Sequence, residues 1–379
     1  PGILAFDGKP KFDLTKYNQS YFERLRSRVI AAGKKGIYVS VMLFDGWSIE
    51  SKDGSRNPWV GHPYNKANNI NNINGDPDNI GSGKAIHTCQ IPAVTALQVA
   101  YVKKVIDTVN DLDNVLYEIS NESNPESLAW QKYLVDQIKA YEKNKPKQHP
   151  VGITVPFPGG SNEDLFASNA DWISPNGDID NPIVSDGRKV ILNDTDHLCG
   201  VCGTRQFVWK SLTRGLNPIF MDEYQWFEPP SDPATFEDVR RNMGYALNYA
   251  TRMRLENTAP HGELASSNYA LAYPSATNAE YLVYLPSGSS VTVDLSAATG
   301  QLAVEWFDPQ KGQIVTGGTI TGGTKQQKFT VPATSNLFKG GDAVLYIYQD
   351  LREKNFLPNI RTRTISPSLS RGYPTMAWK

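Results

Sequence analysis

The stretch Val115-Leu116-Tyr117-Glu118-Ile119-Ser120-Asn121-Glu122 decides how this chain is read. Its β-branched and aromatic residues favour an extended backbone, and the period of two puts Leu116, Glu118, Ser120 and Glu122 on one face of a strand. Glu122 falls at the carboxyl end of that strand. Sheets built of parallel strands place their chemistry at that end, so a Glu there, preceded by an Asn able to bind a hydroxyl, suits a general acid. The same residue type also ends strands for solubility alone.

Short apolar runs bounded by turn formers recur on both sides of this segment. They mark strands at Ile37–Phe44, Val115–Ser120, Val151–Val155, Trp172–Ser174, Val190–Asn193 and Ile219–Met221. Helical spacing lies between them: Val102, Val105, Ile106 and Val109, then Trp130, Tyr133, Leu134 and Ile138, then Phe207, Val208 and Leu212. Those faces are expected to cover the sheet, and a last helix carries Phe236, Val239, Met243, Leu247 and Ala250 on one side. Alternating strand and helix specifies an α/β fold with a parallel sheet. After about Ser267 the pattern changes to Leu282–Tyr284, Val291–Val293, Val304–Trp306 and Val344–Tyr346 among Gly, Ser, Pro and Thr clusters, the mark of a small antiparallel β domain. The expected division is a barrel over 1–266, a small β-sandwich over 267–350 and an irregular tail over 351–379.

A formal net charge of −1 over 379 residues gives no field to gather phosphate backbones or anionic lipid, so neither nucleic acid nor membrane is an expected partner. No apolar run approaches the ~20 residues that span a bilayer. Three cysteines are too few for a disulfide framework. Cys199-Gly-Val-Cys202 has the spacing of a redox or zinc half-site, yet only His197 stands near as a further ligand, so chance spacing in a loop is the simpler reading. Asn74-Gly75-Asp76-Pro77-Asp78-Asn79 lacks the later Glu of a calcium loop, and Pro77 interrupts it.

Ile119-Ser120-Asn121-Glu122 resembles the fourth-strand motif of clan A glycoside hydrolases, whose Asn-Glu carries the acid/base. Lys11–Leu14, Val39–Phe44 and Pro218–Asp222 resemble bacterial barrel hydrolases with an appended "putative collagen-binding" domain, and Val304–Pro309 is similar to that domain. The domain's name is no evidence of collagen binding. The resemblance covers roughly residues 10 to 350. It implies a (β/α)8 barrel of the TIM type, a retaining two-carboxylate mechanism on a plant or microbial poly- or oligosaccharide, no cofactor and no metal, and an extracellular or periplasmic location. A carbohydrate-binding barrel that has lost catalysis is the alternative, and a thiol or metal enzyme built on Cys199 and Cys202 is a second.

In that clan the nucleophile is a Glu ending the seventh strand. Here, with Arg188–Asp194 set against that strand, the resemblance puts Asp194 at the nucleophile, with Asp196 two residues beyond and Glu223 as a third candidate if the strand is miscounted by one. Asp serves as a carboxylate nucleophile if the backbone supplies the lost reach. Asp194-Thr195-Asp196-His197 also reads as a turn in which Asp side chains cap backbone groups, and His197 could orient a carboxylate or touch the sugar. Sugar sites stack rings on aromatics and satisfy hydroxyls with Asn and His, which matches Asn121, Trp47, Trp59, His62, Asn65 and, past the last strand, Trp226. For the loop residues the competing reading is a surface loop packed by its own aromatics.

A complete barrel has about eight strands with the acid/base on the fourth, whereas Glu122 ends the second strand that can be found. The expectation is an incomplete barrel of about six strands. Its gap would be covered by a homo-oligomer interface or by the Leu351–Lys379 tail, because an open parallel sheet exposes unpaired backbone.

Overall fold

In the computed structural model the described residues are 4–6, 8–54, 56–222, 233–333 and 336–349. They form two compact units: residues 4–203 with 215–222, and residues 204–214 with 233–349.

The first unit is a curled sheet of six parallel strands in consecutive order, β1 (Val39–Asp45), β2 (Val115–Asn121), β3 (Val151–Thr154), β4 (Trp172–Ser174), β5 (Val190–Asp194) and β6 (Asn217–Ile219). All six expected strands are present, and the fold is the partial (β/α) barrel anticipated. The largest shift is at β6, which starts two residues early, on Asn217-Pro218. Proline can stand there because β6 is an edge strand and needs no amide on its open side. Helices α1 (Gln19–Gly33), α2 (Pro92–Val109), α3 (Leu128–Glu142) and the short α4 (Asn162–Phe166) lie between the strands. Val41, Leu43, Tyr117, Ile119, Val151 and Ile153 pack against Val102, Ile106, Leu134 and Ile138 in one core. That core holds the outer face of the sheet, so the alternate residues of β2, Glu118 and Ser120, are turned away from it.

The second unit contains α5 (Arg205–Thr213), α6 (Pro233–Arg252) and eight strands. The strands are β7 (Ala259–Pro260), β8 (Ala270–Tyr273), β9 (Glu280–Leu285), β10 (Ser290–Val293), β11 (Gln301–Asp308), β12 (Gln313–Thr321), β13 (Gln327–Thr330) and β14 (Ala343–Tyr348). Six form one antiparallel sheet, ordered β12-β11-β14-β9-β8-β7, and β10 pairs with β13. The sequence boundary near 267 follows the change of period, while the packing groups α5 and α6 with the β strands. Trp209 of α5 shows why: its indole donates to Asn242 of α6 at 2.8 Å, and its ring meets Tyr249, Tyr284 and Phe307. Phe207 and Val208, expected to cover the parallel sheet, are buried on α5, which belongs to this second unit. The expected tail over 351–379 lies outside the described residues.

Candidate active site

Every strand of the first unit from β1 to β5 ends in a polar residue, and these ends converge. Parallel register sets Asp45 of β1 beside Asn121 of β2. His197, in the turn after β5, bridges the others: its Nε2 donates to Asn121 Oδ1 at 3.1 Å, and its Nδ1 lies 2.7 Å from Ser174 Oγ at the end of β4. Glu122 follows Asn121 directly, is buried, and receives a hydrogen bond from the Trp47 indole.

Local sequence explains the pose of Glu122. Its backbone is left-handed, with φ of 43°, a conformation that a residue bearing a side chain adopts only under outside constraint. Part of that constraint is Gly46, packed so tightly that a methyl group there would overlap Glu122's carbonyl oxygen. Asp45 fixes the turn above by accepting from Trp47 N at 3.2 Å. Lys52 reaches over from the same loop, donates to the Phe157 carbonyl and acts on Glu122 through space.

Four carboxylates of this cluster share one electrostatic tendency. Burial pushes the Glu122 pKa up; the Trp47 hydrogen bond opposes the rise, Asp196 adds to it, and His197 and Lys52 oppose it. Burial also raises Asp194, against the pull of His197 and the Asp196 amide. Glu118, two pleat repeats deeper in β2, is pushed up to about 8 by burial first and then by Asp194 and Asp196. Asp45 is raised by burial as well. Burial thus favours the protonated form of Glu122, Asp194, Glu118 and Asp45, the direction that a proton donor requires.

Of the residues singled out in sequence, Glu122, Asn121, Trp47, Asp194, Asp196 and His197 gather at this end. Asp194 ends β5 and caps the following turn by accepting from Asp196 N at 3.0 Å, so the turn reading holds for it whatever else it does. Three loop residues are engaged by the loop itself. Trp59 is 3% exposed, packed with Ile49, Ile86 and Val94, and stacked on His62, which leaves it no open face. His62 accepts from Tyr64 N at 3.1 Å, and burial pushes its pKa down to about 4. Asn65 caps a helical turn and donates to the Trp59 carbonyl. Trp59 thus belongs to the loop's own core, because a loop this long needs its aromatic and amide side chains to satisfy itself, while His62 and Asn65 stay partly exposed and His62 lines the cavity beside Asp45. Glu223 and Trp226 lie outside the described residues.

Asp45, Lys52, Glu118, Ser174 and His87 were not assigned from sequence. Asp45 and Ser174 end recognised strands, and Glu118 shares the Glu122 face, so strand ends read as a set would have found them. Lys52 and His87 lie in an irregular loop that offers no period. Beside Asp45 a cavity of about 260 Å³ opens between β1, α1 and α2, lined by Tyr21, Phe44, His62, Tyr64, His87 and Tyr101. Cys199 and Cys202 form a disulfide, so in this state neither is a thiolate ligand or nucleophile. Among the described residues no group of three or more His, Cys, Asp and Glu is arranged to hold a metal. Nor is any described helix long and apolar enough to cross a membrane.

A curled parallel sheet with polar residues at its strand ends, followed by an antiparallel β unit, is the architecture of a partial (β/α) barrel with an appended β unit. Comparison with known proteins agrees. Residues 2–156 match a family described as "Domain of unknown function (DUF6298)", and residues 263–347 match "Putative collagen-binding domain of a collagenase". A solved structure named a glycoside hydrolase superposes with a TM-score of 0.56 at 14% identity, over 86% of this chain and 77% of its own. A glycoside hydrolase family 5 structure from Bacteroides vulgatus does so with a TM-score of 0.56 at 14% identity, over 90% of this chain and 77% of its own. At such identity the likeness establishes the fold. No curated protein matches the sequence.

Proposed function

We propose that this protein is a retaining glycosidase acting on a plant or microbial poly- or oligosaccharide outside the cytoplasm. In this reading Glu122 protonates the leaving oxygen, Asp194 attacks the anomeric carbon, and Glu122 then activates water. The observation that carries it is the pairing of strand ends. Glu122 follows β2 and Asp194 ends β5, three strands further on, the same interval that separates the fourth-strand acid from the seventh-strand nucleophile in the barrels this chain resembles. The raised pKa of Glu122 suits the acid role, and Asp194, a carboxylate at the end of the facing strand, supplies the oxygen that attacks. Asp196, two residues on, is the second candidate nucleophile. Trp47, Asn121 and His197 stand where they would touch the sugar. The neighbours' names and the partial barrel support hydrolysis of a glycosidic bond; the linkage follows from loop shape.

The test is a screen of aryl glycosides and plant polysaccharides, with the first-formed anomer read by proton NMR. Retention is the expected outcome. Asp194→Asn should remove turnover while Asp196→Asn keeps most of it, and the reverse would exchange the two roles. A bound-state structure should place the Glu122 and nucleophile carboxyl carbons about 5–5.5 Å apart, and a separation of about 6.5–9.5 Å would indicate inversion. Glycan binding without turnover on any substrate would favour the binding-only barrel.

A further inference from the structure

The Asn121-Glu122 pair is flanked by two serines that point into the protein. Their hydroxyls meet, Ser120 Oγ to Ser123 Oγ at 2.6 Å, and Ser123 Oγ lies 3.0 Å from Nδ1 of His87. His87 is 2% exposed and fixed in place: its ring stacks on Trp130 at 4.4 Å and 12°, with Phe44 edge-on to both rings. The next links are equally rigid. Trp130 Nε1 donates to Gln98 Oε1 at 3.0 Å, and Gln98 Nε2 donates to the carbonyl of Ile86, the residue before His87. The carbonyls of the two serines are held separately, Ser120 by Thr154 Oγ1 at 2.8 Å and Ser123 by Phe157 N at 3.0 Å.

We propose that His87 is a positioning residue, which through Ser123 and Ser120 holds the left-handed Glu122 turn in the orientation that meets Trp47. The role rests on Glu122 being the working acid of the site. A backbone conformation this unfavourable for glutamate persists only where its surroundings over-determine it. The hydroxyl pair spans the residues on each side of Asn121-Glu122, so holding it fixes the turn between. Burial keeps the His87 imidazole neutral, which leaves Nδ1 able to pair with a hydroxyl without adding a charge beneath the carboxylate.

A histidine stacked on a tryptophan in a core can also be packing alone, and two substitutions separate the roles. His87→Phe keeps the stacked ring and removes Nδ1. His87→Asn removes the ring and keeps a polar atom near the Nδ1 position. The probe is the Trp47 indole N–H resonance of the full ¹⁵N-labelled chain, identified by its loss in Trp47→Phe. Glu122→Gln shows which part of its pH response comes from Glu122 rather than from Asp196, His197 or Lys52, the other groups that act on that carboxylate. We expect His87→Phe to move this resonance toward that of a free indole and abolish its Glu122-dependent titration, while His87→Asn retains both. A wild-type resonance in folded His87→Phe, or equal loss in His87→Asn, overturns the proposal. If neither variant folds, Ser123→Ala is read the same way, and an unchanged resonance there also overturns it. The signal needs no turnover, so a silent glycoside screen beside the expected shifts would sink the hydrolase reading and leave only the conformational link between His87 and the Glu122 turn standing. With a substrate in hand, His87→Phe should lower kcat on the order of 10- to 100-fold with KM unchanged.

Discussion

Two buried glutamates sit at opposite ends of the same parallel sheet, and the protein treats them in opposite ways. Glu142 ends α3 near the amino-terminal side of β3. One of its oxygens receives Asn110 Nδ2 at 2.8 Å, Tyr117 OH at 3.3 Å and His149 Nδ1 at 2.8 Å, and the other receives His149 N at 2.7 Å. Among the described residues Glu122, at the carboxyl side of β2, accepts from the Trp47 indole and otherwise meets only charges at a distance. The first carboxylate is fully satisfied on ordinary backbone. The second is under-satisfied on strained backbone. A buried acid surrounded by donors is a structural ion, whereas one held short of donors keeps an unsettled proton, and that difference in environment is what assigns chemistry to one and architecture to the other.

The largest expected effects come from substituting each glutamate in turn. Glu122→Gln cannot supply a proton, so turnover on substrates with poor leaving groups should fall about 10²–10⁴-fold with the melting temperature unchanged. Glu142→Gln should do the opposite. It breaks the buried pair with His149 and takes away the charge that holds the imidazole's proton, a loss of about 3–5 kcal/mol in denaturant unfolding, while folded enzyme keeps its activity. Wild-type rates from Glu122→Gln, or wild-type stability from Glu142→Gln, would break the comparison at its root.

A somewhat smaller loss is expected at Gly46. An alanine methyl would press on the Glu122 carbonyl, and overpacking of this kind costs about 1–3 kcal/mol. Because the contact is with the strained turn itself, Gly46→Ala should reduce activity more than its melting temperature suggests. Proportional losses would show that the turn tolerates displacement.

How much of this contrast could be read from sequence follows from what each residue's signal depends on. β1 to β6 were legible because each is a bounded apolar run, and Glu122 because it ends one of them. β12 was missed: Gln313–Thr321 is mostly exposed and carries Gly317-Gly318, so neither apolar alternation nor composition marks it. Trp59 was ambiguous, since an aromatic in a long loop serves equally as platform or plug, and only packing decides. The Glu142 and His149 pair was unreadable for a different reason. Seven residues separate them, Asn110 lies 32 residues from Glu142, and the contact exists only once α3 turns back toward β3.

The Glu142 pair also predicts a pH dependence. The two ring nitrogens of His149 face acceptors only, the Glu142 carboxylate and the Leu112 carbonyl at 2.8 Å, which an imidazolium satisfies and a neutral ring cannot. Burial pulls the His149 pKa down, but Glu142 and Leu112 outweigh it and the net shift is upward. Folding therefore binds this proton more tightly. Its stabilisation should be complete below the ordinary histidine value of about 6.5 and disappear as pH rises through the raised folded value. Urea unfolding across that window should show a decline that His149→Gln abolishes, and a decline that survives the substitution would assign the proton elsewhere.

The smallest expected effect is at Trp47, and it tests the other side of the comparison. Among the described residues its indole is the hydrogen-bond donor that draws Glu122 back toward an ordinary carboxylate, against burial and the Asp196 charge. Trp47→Phe keeps an aromatic face for sugar stacking and removes only the N–H. The Glu122 pKa should then rise further, since burial is left with less opposition. Glycosylation needs Glu122 protonated, so kcat/KM falls as pH rises through that pKa, and the alkaline limb of the pH profile should move to higher pH in the variant. A limb that moves to lower pH would mean that the indole stabilises the protonated acid rather than the carboxylate, and a limb that stays in place would mean that Glu122 is not the group titrating there.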